Sequence, residues 1–169
     1  MMRPKLFVFF LVLIITGSCK NPQVGLSDKT RQHIKETLEQ LAVDNLKAWE
    51  PPFYEEKFLD FFTRSEDFSF AVDGFHITNY KDWAGVVYES MDHDRKNYKE
   101  YVDDIKHIKT EVIDKDYGFV TVDYTWDYTT LDDVSHTVKS VVTMLFRNEN
   151  GQWKIVNTHC SHGEAQIVN

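Results

Sequence analysis

The stretch Asn-Thr-His-Cys-Ser-His-Gly-Glu, residues 157–164, places two imidazoles and a thiol within four positions of a 169-residue chain. These groups serve as metal ligands, general bases or nucleophiles. A zinc site needs three or four convergent ligands, and side chains three positions apart diverge on a strand. Residues 152–161 have the pattern of a strand, and no second cluster with ligand spacing occurs, so we expect no metal here.

Strand alternation would separate the two histidines of this stretch. Trp153 and Ile155 must face the interior, which places Asn157 and His159 on the same inner face and turns His162 to the other. A buried imidazole titrates near neutrality and needs a partner. The pattern therefore makes His159 the candidate catalytic residue, and replacing it should matter more than replacing His162.

Other polar and aromatic residues can reach the same interior. The strand at 119–130 alternates bulky rings with threonine and aspartate, and the third predicted helix adds two more rings. The rings Trp83, Tyr88, Tyr124, Trp126 and Tyr128 can therefore share an interior with Asn157 and His159. Taken singly, each ring is accounted for by filling the core, as buried aromatic residues usually do.

The chain must position these residues with one domain, since 169 residues are too few to expect two. Hydrophobic residues make up 42% and aromatic residues 14%, which suits a globular core. A net charge of −8 argues against a nucleic-acid partner, because such proteins present a basic face.

Residues 1–19 have a short basic region, an apolar run and small residues before Cys19, the order expected of an export signal. The segment resembles a bacterial lipoprotein signal, which implies a lipid on Cys19. The protein would then be anchored to a membrane of the cell envelope, in the periplasm or at the outer membrane. An uncleaved anchor and a simple secretory cut are the alternatives. Residues 20–26 then form a linker and residues 27–165 one domain, in which Cys160 is a lone, buried and inert thiol.

The periodicity changes from helical to strand-like near residue 104. We predict a helix from Ser27–Asp28 to Pro51, a short second helix opened by Pro52, and a third capped by Asn79. An Asp73–Gly74 hairpin lies between the last two helices. Four antiparallel strands follow, at 105–114, 119–130, 135–147 and 152–161. This order predicts an α+β domain whose helices cover one face of a sheet.

The ending Gly151-x-Trp153-x-Ile155, followed by His159 and Ser161, resembles the last strand of the nuclear transport factor 2-like superfamily, which includes SnoaL-like proteins. The resemblance implies a cone-shaped fold, with the N-terminal helices on the concave face of a curved antiparallel sheet around a ligand cavity. The ligand-binding set that it implies is Trp83, Tyr88, Tyr124, Trp126, Tyr128, Asn157 and His159. The resemblance implies no cofactor and no single function, because one fold hosts many activities.

Three functions remain open at this point. The first is binding of a small apolar or aromatic molecule in the cavity. The second is an isomerase, dehydratase or cyclase in which His159 or Asp73 moves a proton and Tyr124 or Tyr128 stabilises an oxyanion. Residues 27–50 lack the first-helix tyrosine of ketosteroid isomerases. The third is an interaction domain that forms a homodimer through its polar outer sheet face.

Overall fold

The computed structural model describes residues 25–168, so the signal segment, Cys19 and most of the linker lie outside the described residues. Helix α1 spans Asp28–Lys47 and begins where the Ser27 hydroxyl accepts a hydrogen bond from the Thr30 N–H. Helix α2 is short, Glu55–Leu59, and begins three residues after Pro52. Helix α3 spans Tyr80–Asn97 and is capped by Asn79, as predicted. Within residues 25–168, no helix is both long and apolar enough to cross a bilayer.

A curved mixed sheet forms the other layer. Its strands are β1 Ser69–Val72, β2 Phe75–Ile77, β3 Tyr98–Val112, β4 Tyr117–Thr130, β5 Ser135–Glu149, β6 Gln152–His162 and β7 Gln166–Val168. Their order is β2-β1-β6-β5-β4-β3, with β7 paired to β5. The α+β fold and the four-stranded meander are therefore confirmed.

Two parts of the sheet go beyond the sequence-based expectation. Strand β3 begins at Tyr98, directly after α3, and not near residue 105. Its charged residues did not prevent strand formation, because they alternate with the buried Tyr101 and Asp103. Strand β7 continues the sheet past residue 165.

Strand β1 pairs in parallel with β6, and Val72 lies opposite Cys160. The hairpin turn that follows contains Asp73 and Gly74, both with positive φ, which suits the turn of a two-residue hairpin. This pairing brings the turn to the end of β6, a contact between segments almost ninety residues apart.

A β-bulge interrupts the β5–β6 ladder. Leu145 lies opposite Asn157 and Phe146 opposite Ile155, so Val156 has no partner across β5. An extra residue reverses the inward and outward alternation beyond it. Consequently Ile155 is buried before the bulge, whereas Thr158 and Cys160 are buried after it.

Helix α1 lies on the concave face of the sheet. Leu38 and Ala42 are fully buried there, and Leu38 packs against β4 at Gly118. A Cβ atom at Gly118 would lie 2.5 Å from Leu38 Cδ1, so glycine permits this close approach. The helices and the sheet enclose a core rich in aromatic rings.

Candidate functional site

A cavity of about 260 Å³ lies between the helices and the concave face of the sheet. Most of its wall is apolar, with Trp83 of α3 stacked on Phe70 of β1 at a centroid distance of 3.8 Å. The far wall is formed by Tyr124 and Trp126 of β4. Such a wall suits a small molecule with a large apolar surface.

Four buried polar atoms on the cavity wall lack a hydrogen-bond partner. They are Asn45 Nδ2, Trp83 Nε1, Asp103 Oδ1 and Thr158 Oγ1. Each of these residues is no more than 4% exposed. Burying an unpaired polar group costs about 1–3 kcal/mol, so four among the lining residues of one cavity are an unusual concentration for a folded protein.

Asp103 projects into this apolar environment from β3. Burial, reinforced by the nearby Glu50 carboxylate and opposed by Lys47, raises the pKa of Asp103 to about 8. Its backbone N–H donates to Glu50 Oε1 at 2.8 Å, and Lys47 Nζ donates to its carbonyl oxygen at 2.6 Å. At neutral pH the side chain is therefore mostly a carboxylic acid that can donate a hydrogen bond into the cavity.

The end of β6 carries a histidine–carboxylate pair. Asp73 Oδ2 lies 2.7 Å from His162 Nδ1, and Asp73 Oδ1 accepts the His162 backbone N–H at 2.9 Å. These two contacts fix the position of the ring and direct Nε2 away from the carboxylate. We call these two residues the Asp73–His162 pair.

The free edge of the imidazole faces a thiol. His162 Nε2 lies 3.3 Å from Cys160 Sγ, and the Tyr124 hydroxyl lies 3.8 Å from the same sulfur. The hydrogen bond with Cys160 is the largest cause that raises the pKa of His162, to about 9; burial opposes it and Asp73 adds to it. Burial opposes ionisation of Asp73, but its hydrogen bonds from His162 prevail and lower its pKa.

The predicted ligand-binding residues divide into two groups. Trp83, Tyr124 and Trp126 line the cavity. Tyr88 is exposed and donates its hydroxyl to Glu56 at 2.9 Å, while Tyr128 stacks between Trp126 and His136 away from the cavity lining.

The prediction that Asn157 and His159 face the interior is wrong. Both are exposed on the outer sheet face, because the bulge at Val156 reverses the alternation. His162 and Cys160 take the inner positions instead. The face assignment was the ground for expecting His159 to matter more than His162, so the structure removes that ground.

Sequence reasoning missed the polar residues of the cavity, among them Asn45, Asp103, Thr158, Cys160 and His162. Asn45 gave a usable signal, since it is a polar residue on the apolar face of α1. Asp73 was assigned only to the hairpin turn or to a possible base; it occupies the turn and also holds His162. Among residues 25–168, no group of three or more histidine, cysteine or carboxylate side chains is placed to hold a metal ion.

Solved structures with similar folds include several enzymes. A hexachlorocyclohexane dehydrochlorinase, LinA-type3 from Novosphingobium barchaimii LL02, is 14% identical, with 84% of this chain and 94% of that chain covered and a TM-score of 0.68. A protein assigned as a scytalone dehydratase from Novosphingobium aromaticivorans is 11% identical, with coverages of 85% and 93% and a TM-score of 0.71. A ketosteroid isomerase-like protein from Erwinia carotovora atroseptica is 16% identical, with coverages of 77% and 96% and a TM-score of 0.61.

These likenesses establish the fold alone. The search of curated proteins finds no match. The model of the SnoaL-like domain matches residues 54–163, which is more than half of the chain and includes both members of the Asp73–His162 pair. The chain therefore belongs to the SnoaL-like domain family, with the curved-sheet fold of the nuclear transport factor 2-like proteins.

Proposed function

We propose that this domain binds a small, largely apolar molecule that carries at least one oxygen able to accept a hydrogen bond. The observation that carries this proposal is the set of four unpartnered buried polar atoms on residues of a largely apolar wall. Two of them, Asn45 Nδ2 and Trp83 Nε1, are N–H donors and fit a carbonyl or ether oxygen. The volume lies slightly below the ~300–1,000 Å³ of common ligand pockets, which favours a compact ligand.

We further propose that the domain acts outside the cytoplasm, tethered by lipid on Cys19. The export-type sequence of residues 1–19 supports this placement. A lipid anchor would hold the binding domain at the membrane surface, where apolar metabolites partition.

Replacing Thr158 with valine tests the binding function. Valine has nearly the same shape and removes only the unpartnered hydroxyl, so the free energy of unfolding should rise or stay within about 1 kcal/mol. Binding should weaken about tenfold, because the ligand loses a polar contact. The measurements are urea denaturation and native mass spectrometry of the detergent-purified full chain incubated with small-molecule extract of its own organism.

Ser161→Ala is the matched control, since Ser161 lies on the same strand but on the exposed face. It should retain the same molecule as the wild type. If no small molecule is retained by either protein, or if Thr158→Val retains it equally, binding in this cavity is rejected.

A second function, proton transfer in an isomerase, dehydratase or cyclase, is favoured by the Asp73–His162 pair at the cavity wall. With its pKa near 9, His162 is protonated at neutral pH, so it suits the role of an acid that protonates a leaving group or a carbonyl oxygen. The dehydrochlorinase and the scytalone dehydratase named above are elimination enzymes by name, which is consistent with this chemistry on the same fold.

Incubating the retained molecule with the protein in deuterium oxide tests proton transfer. We expect a product that has gained deuterium at carbon or has lost water, detected by mass spectrometry. His162→Ala should slow its formation by roughly 10²–10⁴-fold, the usual contribution of a general acid. His159→Ala, on the exposed outer face, should leave the rate within about twofold; equal losses in both variants would exclude His162 as the acid.

A further inference from the structure

Cys160, His162 and Asp73 lie in a row, with the Cys160 thiol where a nucleophile would stand beside a base and an orienting carboxylate. Its Sγ lies 3.3 Å from His162 Nε2, and the opposite nitrogen of that ring lies 2.7 Å from Asp73 Oδ2. A nucleophile beside a base that a third group orients is the arrangement that activates thiols. The sulfur is a free thiol, 5% exposed, and it lines the cavity.

The local fold accounts for this row. Cys160 and His162 are two positions apart on β6, so both face the cavity beyond the bulge. Parallel pairing of β1 with β6 brings the β1–β2 turn, and with it Asp73, to the end of β6. No part of this arrangement is needed to fill the core, because an aliphatic residue at position 160 would do so equally well.

A second observation concerns the ligand. Asn45 Nδ2 and Trp83 Nε1 are buried, unpartnered donors on the wall of the cavity that Cys160 lines. An acceptor oxygen on a bound molecule would give these donors the hydrogen-bond partner that they lack. A molecule that meets both the thiol and these donors combines an electrophilic carbon with a carbonyl oxygen.

We propose that Cys160 adds to α,β-unsaturated carbonyl compounds held in the cavity and forms a covalent thioether. This inference rests on the proposed binding function and goes beyond it, because it assigns a reaction and a class of substrate. It also replaces the expectation that Cys160 is inert.

The step is balanced without a co-reactant. With the thiol proton held on His162 Nε2, the Cys160 thiolate forms an S–C bond to the β carbon while the C=C π pair shifts to give an enolate. The imidazolium returns the proton to the α carbon. The net change is addition of S–H across the double bond, with no oxidant and no leaving group, and reversal regenerates the thiol. The raised pKa of His162 fits a ring that holds this proton beside the sulfur.

Conjugate addition suits this site better than acyl transfer. In acyl transfer the negative charge develops on the oxygen bonded to the attacked carbon, so it needs donors close to the nucleophile, commonly backbone N–H groups. Cys160 lies between Val72 of β1 and Val142 of β5, so the backbone around it is engaged in the sheet. In conjugate addition the charge develops on an oxygen three bonds from the attacked carbon, where donors elsewhere on the cavity wall can reach it.

Cyclohexenone, a compact cyclic enone, is a direct probe for the full-length protein purified in mild detergent. We expect one added enone mass, mapped to the peptide containing Cys160, by intact-mass and peptide mass spectrometry. The second-order rate should exceed that of the same thiol in the urea-unfolded chain by on the order of tenfold or more. This comparison needs no substitution, so it holds even if a variant fails to fold.

Two variants separate the role of the imidazole from simple access to the thiol. His162→Ala should lower the rate of adduct formation by on the order of tenfold or more and change its dependence on pH. His159→Ala should react as the wild type does. An adduct that forms no faster in the folded protein than in urea, or equally fast in His162→Ala, overturns the proposal.

Cyclohexanone, the saturated analogue, can bind but cannot add a thiol at carbon, so it separates binding from the covalent step. Retention of cyclohexanone in native mass spectrometry, without any Cys160 adduct from cyclohexenone, would overturn the covalent step and leave binding intact. An adduct that is suppressed by excess cyclohexanone would support both. If neither compound is retained, both are rejected for this class of molecule.

Discussion

Asp103→Asn is expected to stabilise the folded protein at alkaline pH and to flatten the dependence of its stability on pH. Asp103 is 2% exposed, and burial together with Glu50 raises its pKa from an ordinary 3.8 to about 8. Between these values the folded state holds a proton that the unfolded state releases. The free energy of unfolding therefore falls as the pH rises through this window.

The asparagine variant cannot ionise, so it avoids that loss. We expect it to exceed the wild type by about 2 kcal/mol or more at about pH 9, and the difference to vanish near pH 4. Urea denaturation followed by tryptophan fluorescence across this range measures the effect. The contribution of His162 has the same sign, since its raised pKa adds stability below its ordinary value that is lost as the pH rises through about 9. Both proteins share that term, and it cancels in the difference.

Asp104→Asn is the matched control, because Asp104 is the next residue of β3 and lies exposed on the opposite face. Its free energy of unfolding, plotted against pH, should run parallel to that of the wild type. If Asp103→Asn also runs parallel, the carboxyl of Asp103 ionises as freely as an exposed one, and it is not a neutral donor in the cavity.

Trp83→Ala is expected to lower the free energy of unfolding by about 3–5 kcal/mol, the usual cost of removing a buried aromatic ring. Trp83 is 4% exposed, stacks on Phe70 at 3.8 Å and lies 5.7 Å from the Phe62 ring. A loss of this size is a large share of the ~5–15 kcal/mol that stabilises a typical domain. Urea denaturation with the same fluorescence probe, supported by circular dichroism, provides the measurement.

Tyr88→Ala provides the comparison from the same helix. Tyr88 is 44% exposed and makes one exposed hydrogen bond to Glu56, so its loss should cost no more than about 1 kcal/mol. The two residues entered the sequence-based ligand set together, yet only Trp83 lines the cavity. Similar losses in the two variants would contradict the packing described for α3.

The fold was predictable because its signals are local. Ser27 and Asn79 are helix caps, Asp73–Gly74 is a hairpin turn, and the strands of the meander alternate between apolar and polar residues. Each signal acts within a few residues, where propensity and periodicity are most informative. The family resemblance in the last strand then supplied the arrangement of these elements.

The site was predictable only in part, because its polar members depend on features that act over longer distances. Alternation and helical spacing placed Trp83, Tyr124 and Trp126 in the interior, and the family resemblance predicted a cavity there. His162 was missed because one unpaired residue, Val156, shifts the register of the strand that carries it. Asp73 contacts His162 only because β1 pairs in parallel with β6, and no short-range sequence pattern predicts that pairing.

The position of Asp103 could not be predicted from the sequence for a different reason. The first strand of the meander was predicted only from residue 105, so Asp103 was not assigned to a strand. A buried carboxylate is unfavourable on its own, and sequence patterns assign aspartate to the surface. Its position becomes reasonable only when the cavity beside it is seen.

The bulge at Val156 also bears on how this cavity can change during evolution. Deleting Val156 would restore a regular ladder, because Ile155 and Asn157 already lie opposite the adjacent residues Phe146 and Leu145 of β5. Thr158, Cys160 and His162 would keep their inward positions, and β6 would alternate without interruption. Homologues that lack the extra residue but keep a thiol and an imidazole on this wall are therefore expected to carry both one position closer to the residue that corresponds to Trp153.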